Sequence, residues 1–345
     1  MSATKADVKV GRIAQVSKPG GSLEFAKKEF GELGRRDVRL KIQCCGVCHS
    51  DSFAFHGGFP GLSYPMVPGH EIVGIVDEVG SEVGRLRVGD RVGVGWHAGH
   101  CYECESCRRG DFITCEKLQV PGITIHGGYA EYAVFPEDVC ARVPEKLKSA
   151  EAAPLVCAGV TTYNALRNAG ARSGDTAAIL GLGGLGHLAV QFANKMGFRT
   201  VAIARGKDKE SFAKELGAHE YIDSEEAGAV EKLKKAGGAR LLLSTVTNSD
   251  AMTPWIDGLS VNGKMILVGA DMKPMQISPI ALLGQRRTLA GWPSGTAMDS
   301  EDCMNFCALT GIRPMIETFP FDKAAEAYER MMSGKARFRV VIEQG

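Results

Sequence analysis

A glycine-rich turn constrains the fold of this chain more than any other feature of its sequence. The turn reads G-x-G-x-x-G at Gly181, Gly183 and Gly186, and it lies between a strand-like run (176–180) and a helix-like run (184–196). In such a turn the first glycine permits a tight bend, and the second lets the backbone approach a pyrophosphate. The third allows the helix to pack closely on the strand. The segment therefore predicts a strand–turn–helix unit that binds a dinucleotide at a helix N-terminus.

Strand-like and helix-like runs alternate around this turn. The strand-like runs are 176–180, 200–204, 220–222, 240–246, 264–268 and 288–290. The helix-like runs are 184–196, 209–216, 225–236 and 249–259. Six short strands with interleaved helices are typical of an α/β doubly wound, six-stranded parallel sheet. A lone glycine motif is a weak signal, so its position inside this alternation is what favours dinucleotide binding.

The rest of the chain has a different pattern, and 345 residues are more than one hydrophobic core usually organises. Short β segments broken by glycines precede residue 158, at 38–42, 71–79 and 91–94. After about residue 300 come helix-like runs at 301–309 and 322–332 and strand-like runs at 314–319 and 338–342. We therefore predict a discontinuous, β-rich domain over 1–158 and 296–345, and a dinucleotide-binding domain over 159–295.

The second strand of the predicted sheet indicates which dinucleotide is preferred. An NAD site usually has an acidic residue at the end of this strand, where it binds the ribose 2′-hydroxyl. Here the strand ends at Ala204, and the basic residues Arg205, Lys207 and Lys209 follow. These cations suit a 2′-phosphate, so we predict a preference for NADP over NAD. The alternative is that they are solvated charges on an exposed turn and that either cofactor is accepted.

Cysteines are concentrated in one part of the chain, where seven of the eleven lie between residues 44 and 115. Four of them form the spacing C-x2-C-x2-C-x7-C at Cys101, Cys104, Cys107 and Cys115. Four thiolates at this spacing satisfy a tetrahedral zinc ion with no open position, which is typical of a structural site. We predict such a zinc lobe at about 97–116. The alternative is a pair of disulfides, which an intracellular setting disfavours.

The charge and the N-terminal segment exclude several classes of partner. Residues 1–7 lack the apolar run of a signal peptide, and no stretch of about 18 apolar residues follows, so we expect a cytoplasmic protein without a membrane segment. The net charge of +1 gives no basic surface for nucleic acid. A zinc-binding interaction module is the alternative to an enzyme. Arg108 and Arg109 favour it, but nearby acidic residues offset them: Glu103, Glu105, Asp111 and Glu116.

Further candidate metal ligands are dispersed along the chain. They are Cys48 in Gly-Val-Cys-His-Ser-Asp, His70 and Glu71 in Gly-His-Glu, and Cys157 in Cys-Ala-Gly. A catalytic zinc needs three protein ligands and one open position, and two cysteines with one histidine form a known set. A single cysteine, however, is more often a small buried hydrophobic residue. No spacing rule joins these residues, so their joint assignment depends on a resemblance.

In these motifs the sequence resembles the zinc-dependent medium-chain dehydrogenase/reductase superfamily, in its alcohol and cinnamyl-alcohol dehydrogenase branch. The motifs occur in the family's order, and the resemblance covers essentially the whole chain. The resemblance implies a GroES-like fold for the β-rich domain and Cys48, His70 and Cys157 as ligands of a catalytic zinc. It also implies hydride transfer between NAD(P) and a primary alcohol or its aldehyde, with two zinc ions per chain.

The resemblance assigns roles to further residues. Glu71 resembles a transient metal ligand, Asp51 fixes the imidazole of His70, Ser50 takes the alcohol proton, His56 ends the proton relay and His49 meets the cofactor pyrophosphate. For His49 and His56 the alternative is a surface histidine. We predict further cofactor contacts at Thr161, Gly184, Ala204, Arg205, Lys209 and Val268.

The resemblance also predicts a substrate pocket with bulky walls at Phe59, Trp96 and Trp292. Such walls favour primary, possibly aromatic or allylic, alcohols over branched ones. A polyol or secondary-alcohol dehydrogenase of the same superfamily is the alternative, although polyol dehydrogenases commonly have Glu where Cys157 stands. We expect a homo-oligomer, a tetramer or a dimer, joined through the sheet edge near residues 286–290.

Overall fold

The structure, a computed structural model, describes residues 8–269 and 271–345 and divides into two compact units. The first unit contains the described chain up to Cys157 together with Gly295–Leu309 and Pro314–Gly345. The second unit contains Ala158–Ser294 and Thr310–Arg313, a short segment that the sequence had placed in the first domain. Residues 1–7, on which the expectation of no signal peptide depends, lie outside the described residues.

The strands are numbered in chain order. They are β1 (Lys9–Val16), β2 (Leu23–Phe30), β3 (Asp37–Val47), β4 (Glu71–Val79), β5 (Arg91–Val94), β6 (Tyr132–Pro136), β7 (Ala141–Arg142), β8 (Thr176–Leu180), β9 (Arg199–Ala204), β10 (Glu220–Asp223), β11 (Ala239–Ser244), β12 (Leu259–Leu267), β13 (Thr288–Gly291), β14 (Ile316–Pro320) and β15 (Arg339–Glu343).

The α-helices are α1 (Ser52–His56), α2 (Glu105–Arg108), α3 (Ser149–Ala152), α4 (Ala158–Arg167), α5 (Gly186–Lys195), α6 (Glu210–Glu215), α7 (Ala229–Lys235), α8 (Ser249–Met252), α9 (Pro279–Leu283), α10 (Ala297–Thr310) and α11 (Ala324–Met332). Turns of 3-10 helix occur at His49–Asp51, Phe112–Thr114, Glu137–Val139, Ala153–Val156, Lys207–Lys209, Thr253–Gly258 and Phe321–Lys323. Within the described parts of the chain, no helix has both the length and the apolar composition needed to cross a membrane.

The first unit is built on a seven-stranded sheet in the order β14-β15-β3-β4-β5-β7, with β6 paired to β3. Strand β3 is its centre, antiparallel to β15, β4 and β6. Apolar residues such as Leu40, Ile72 and Val340 are fully buried in its core. Strands β1 and β2 form a separate hairpin. The C-terminal strand β15 belongs to this unit, so the β-rich part of the chain is discontinuous.

The second unit is a six-stranded parallel sheet in the order β10-β9-β8-β11-β12-β13. This order reverses between β8 and β11, and ligands of doubly wound sheets bind outside the carboxyl ends of the strands at such a switch point. Leu180 and Ser244 end these two strands at that position. The predicted α/β fold, with a GroES-like domain and a doubly wound sheet, is confirmed.

Several elements differ from the sequence-based expectation, and three of them have a clear local description. The helix predicted over 249–259 is α-helical only in α8 and continues as a 3-10 turn, because Pro254 cannot donate a backbone hydrogen bond. The helix predicted from residue 184 begins at Gly186. The hairpin of β1 and β2 was not predicted, because half-exposed β2 carries four charged side chains that obscure its alternation.

Candidate metal centres and dinucleotide site

Four residues from three separate segments of the sequence form a buried cluster in the first unit. One donor atom each from Cys48, His70, Glu71 and Cys157 lie within 4.8 Å of one another. The four side chains are at most 9% exposed, and Cys157 Sγ lies 3.4 Å from His70 Nε2. Two thiols, an imidazole and a carboxylate at this spacing are a donor set that suits zinc. The structure therefore brings together the residues that the sequence could not join by spacing.

Strand pairing explains how these residues meet. Cys48 directly follows β3, while His70 and Glu71 lie at the start of β4, its antiparallel neighbour. Gly46 pairs with Glu71 across the two strands, and a Cβ atom on Gly46 would lie 2.0 Å from Glu71 Oε2. Only glycine at position 46 therefore leaves room for this carboxylate beside the thiol. Cys157 arrives from the 3-10 turn Ala153–Val156.

The imidazole of His70 is held from behind by Asp51. Asp51 Oδ1 lies 3.0 Å from His70 Nδ1, the ring nitrogen opposite the thiols. Asp51 Oδ2 accepts hydrogen bonds from the Cys48 backbone N–H at 2.9 Å and from the Tyr129 hydroxyl at 3.1 Å. Burial lowers the pKa of His70, but the charges of Asp51 and Cys48 outweigh it and raise that pKa well above its ordinary value. A carboxylate behind a ligating imidazole fixes its orientation and its tautomer.

Arg339 and Tyr129 are two site residues that the sequence analysis missed. Arg339, in β15, is 5% exposed and forms an ion pair with Glu71. Burial raises the pKa of Glu71 to about 7, and the charge of Arg339 acts in the opposite direction. A basic residue inside the otherwise apolar run 338–342 was a usable signal for Arg339. For Tyr129 no local pattern exists, because its contact with Asp51 depends on the tertiary fold.

Aromatic side chains stand next to this cluster. The Trp96 ring meets the His70 ring edge-on at 5.1 Å between centroids, and Phe59 lies 6.3 Å from Trp96. Phe53 packs on Phe59 at 5.2 Å. Two of the three predicted pocket walls are therefore close to the candidate ligands. The third, Trp292, is half-buried directly after β13 in the second unit, and its role stays a prediction.

The predicted relay residues lie on the segment that follows Cys48. Ser50, half-buried, is part of the 3-10 turn His49–Asp51, and exposed His56 is the last residue of α1. His49 is also exposed. These positions suit a proton path from a buried centre to solvent, but the roles of His49, Ser50 and His56 stay predictions.

The four-cysteine lobe has the geometry of a tetrahedral metal site. Sulfur–sulfur distances are 3.9 Å for Cys101–Cys107, 3.9 Å for Cys104–Cys115 and 3.6 Å for Cys101–Cys115. A zinc ion with bonds of about 2.3 Å separates its thiolates by about 3.8 Å. The eleven cysteines are all free in the structure, which contradicts the disulfide alternative. Hydrogen bonds from backbone N–H groups, that of Cys107 first, lower the pKa of Cys104 to about 6 and favour its thiolate.

The glycine turn of the second unit has the backbone that its sequence predicts. Gly181 follows β8 with φ +98°, and a Cβ atom there would lie 2.5 Å from Thr245 Oγ1. A Cβ atom on Gly186 would lie 1.9 Å from the Gly181 carbonyl oxygen, so the start of α5 packs directly on the turn. Gly183 has open space where a side chain would be, which leaves room for a ligand to approach. Gly184 lies between these positions.

The basic residues after β9 differ in their exposure to solvent. Arg205 and Lys207 are exposed, whereas half-buried Lys209 donates from Nζ to the Arg205 carbonyl oxygen at 2.8 Å. Ala204 ends β9 and is 7% exposed. The other predicted cofactor contacts are Thr161, 8% exposed in α4, and Val268, directly after β12. Their roles stay predictions.

The sequence and the fold are both similar to those of known proteins. Residues 34–145 match the alcohol dehydrogenase GroES-like domain family, and residues 184–309 match the zinc-binding dehydrogenase family. An alcohol dehydrogenase of Aspergillus sp. (strain MF297-2) is 44% identical over 90% of this chain and 91% of its own length.

Two solved structures share the fold. A cinnamyl alcohol dehydrogenase of Sorghum bicolor aligns with a TM-score of 0.89 at 32% identity, over 97% of this chain and 98% of that chain. A cinnamyl alcohol dehydrogenase of Helicobacter pylori complexed with NADP(H) aligns with a TM-score of 0.85 at 27% identity, over 97% and 98%. The similarity thus extends over both units.

Proposed function

Because the chain belongs to the zinc-binding alcohol dehydrogenases of the medium-chain dehydrogenase/reductase superfamily, we propose that it transfers hydride between a primary alcohol and NADP. The family that the sequence resembles is thereby confirmed. Its members support the prediction of an oxidoreductase that uses zinc and a nicotinamide dinucleotide. The cluster of Cys48, His70 and Cys157 is the observation that carries the proposed chemistry. The substrate, the preferred cofactor and the residue roles are proposals.

The residues present fit the metal ions that the family implies. Cys48, His70 and Cys157 offer two sulfur atoms and one nitrogen atom at one point, and buried Glu71 Oε2 has no hydrogen-bond partner among the residues that the structure describes. Three protein ligands with room for a further oxygen are the arrangement of a catalytic zinc, whereas the closed four-cysteine set is that of a structural zinc. We therefore assign two zinc ions per chain.

When bound, zinc polarises the oxygen of an alcohol or aldehyde as a Lewis acid, and the nicotinamide carries the hydride. The protein supplies orientation and a path for the proton. Asp51 holds the His70 ring in place, with its own position fixed by Tyr129 and the Cys48 N–H. Ser50 accepts the proton of the alcohol hydroxyl as it passes its own hydroxyl proton on toward exposed His56, which releases a proton to solvent.

The cofactor preference is expected to appear directly in kinetics. Arg205 and Lys207 are exposed at the end of β9, and a charge-assisted contact with a phosphate contributes about 1.5–3 kcal/mol. We expect kcat/KM for NADP to exceed that for NAD by at least about tenfold, since about 1.4 kcal/mol corresponds to tenfold. Arg205→Ala should lower this ratio by about tenfold. Arg172→Ala, which removes an exposed arginine elsewhere in the same unit, should not change it. A tenfold preference of the wild type for NAD contradicts the proposal.

The substrate class is proposed from the aromatic walls. Trp96 and Phe59 stand beside the candidate ligands and restrict branching at the carbinol carbon, while they accept flat chains and rings. We expect higher kcat/KM for benzyl alcohol and 1-butanol than for 2-propanol. Steady-state rates with each alcohol and both cofactors test this, and a preference for 2-propanol favours the secondary-alcohol alternative.

We also propose an oligomeric state and a cellular compartment for the protein. Strand β13 is the last strand of its sheet, and Ile280 and Leu283, in the helix α9 that precedes it in sequence, are 71% and 72% exposed. An edge strand with exposed apolar neighbours supports a homo-oligomer, a dimer or a tetramer, joined there. The free state of the cysteines supports the cytoplasm.

A further inference from the structure

The backbone of Gly206, in the middle of the basic segment after β9, is held by two side chains from the neighbouring strand β10. The Tyr221 hydroxyl donates to the Gly206 carbonyl oxygen at 2.6 Å and lies 3.1 Å from the Ala204 carbonyl oxygen. Asp223 Oδ1 accepts from the Gly206 N–H at 2.9 Å and from the Glu225 N–H at 3.0 Å. We call Tyr221 and Asp223 the Gly206 clamp.

The clamp fixes a conformation that only glycine adopts easily. Gly206 has φ +84°, and a Cβ atom there would lie 2.4 Å from Asp208 Oδ1. This bend turns the chain from the end of β9 into the 3-10 turn Lys207–Lys209. The clamp therefore determines where Arg205 and Lys207, on either side of the glycine, stand relative to the end of the strand.

The clamp also removes Gly206 from direct cofactor binding. Its N–H, the backbone group that could donate to a phosphate oxygen, donates to Asp223 instead, and its carbonyl oxygen accepts from Tyr221. The hydrogen bonds from the Glu225 and Gly206 N–H groups lower the pKa of Asp223, whose carboxylate is thus already engaged by the backbone. Recognition of a 2′-phosphate is left to the side chains of Arg205 and Lys207.

We propose that Tyr221 and Asp223 are positioning residues for cofactor selection: they hold the basic segment so that its side chains bind the 2′-phosphate of NADP. This inference rests on the proposed preference for NADP. It differs from a general role in stability, because loss of the clamp should weaken NADP selectively. NAD has a hydroxyl in place of the 2′-phosphate and gains little from Arg205.

Tyr221→Phe tests the clamp, because it removes one hydroxyl and no charge. The ratio of kcat/KM for NADP to that for NAD should fall by about three- to tenfold, while kcat/KM for NAD stays within about twofold. Tyr132→Phe, the same change in the first unit, should leave the ratio unaltered. In an Arg205→Ala background Tyr221→Phe should lower the ratio by a smaller factor, because part of the effect of the hydroxyl acts through Arg205. Retained turnover with NAD shows that each variant is folded.

A second pair of variants tests the other half of the clamp without relying on Tyr221. Asp223→Asn removes the charge but keeps an oxygen acceptor for the Gly206 N–H, whereas Asp223→Ala removes both. The NADP-to-NAD ratio should be at least about threefold lower for Asp223→Ala than for Asp223→Asn. Glu220→Gln, a loss of charge on the same strand, should match the wild type.

The outcomes separate the clamp from the cofactor proposal. A wild type without any NADP preference overturns the proposed cofactor and the clamp's role with it. A wild type that prefers NADP, with the ratio unchanged in Tyr221→Phe and equal in Asp223→Ala and Asp223→Asn, overturns the clamp alone.

Discussion

His70→Ala is expected to lower kcat by at least about a thousandfold, with NADP binding within a few-fold of the wild type. A Lewis-acid metal stabilises the charge that develops in the transition state by several kcal/mol, and each 1.4 kcal/mol or so corresponds to tenfold. His70 is fully buried and offers Nε2 to the cluster, so its loss removes one of three ligands. Apart from His49, the residues predicted to bind the dinucleotide are in the second unit, so binding should survive. Single-turnover rates and fluorescence titration with NADPH measure the two quantities.

Two further variants make this test specific. Cys48→Ser keeps the approximate size of the side chain and should show the same loss of kcat, because the serine hydroxyl is a much poorer metal ligand than a cysteine thiolate. His126→Ala changes an exposed histidine of the same unit that lies outside the cluster, and it should keep wild-type kcat. Near-normal turnover in His70→Ala with no metal bound at the cluster would contradict the assignment.

Cys104→Ser is expected to remove one zinc ion per chain and to lower the melting temperature by at least about 5 °C. Metal binding to a site of this kind is coupled to folding, and zinc-finger peptides gain about 10–16 kcal/mol from it. The lobe has only short helices, α2 and the 3-10 turn Phe112–Thr114, so a metal ion held by its four sulfur atoms should contribute strongly to its stability. Because the cluster of Cys48, His70 and Cys157 is separate, the remaining zinc ion should stay bound.

Metal analysis combined with thermal unfolding measures both effects of Cys104→Ser. Cys140→Ser is the matched control, since Cys140 is buried in the same unit and belongs to neither cluster. It should keep two zinc ions per chain even if its melting temperature changes. A Cys104→Ser protein that retains both ions would argue against a structural site at these four cysteines.

Local sequence patterns predicted the parts of the site in which neighbouring residues act together. The four cysteines span only residues 101–115, and the glycine turn only 181–186, so spacing alone specifies the ligand set and the backbone. The alternation of strands and helices predicted the doubly wound sheet for the same reason. Each of these signals depends on residues that are close in sequence.

The cluster of Cys48, His70 and Cys157 could not be derived in this way. Cys48 and His70 meet because β3 and β4 pair in one register, and Cys157 comes from a turn 87 residues beyond His70. Tyr129 and Arg339 reach the same centre from still other segments. Likewise, nothing in the residues near Gly206 indicates Tyr221 and Asp223, which approach it only through the pairing of β10 with β9. These contacts therefore depend on the pairing of strands in the folded protein and not on local sequence.

The most direct test of the account is the location of zinc in crystals of the active enzyme. Anomalous diffraction measured on both sides of the zinc absorption edge should give one peak about 2.0–2.3 Å from Cys48 Sγ, His70 Nε2 and Cys157 Sγ. A second peak should lie among the sulfur atoms of the four-cysteine lobe. Crystals of enzyme with full alcohol-oxidising activity that show no metal peak at Cys48, His70 and Cys157 would contradict the account.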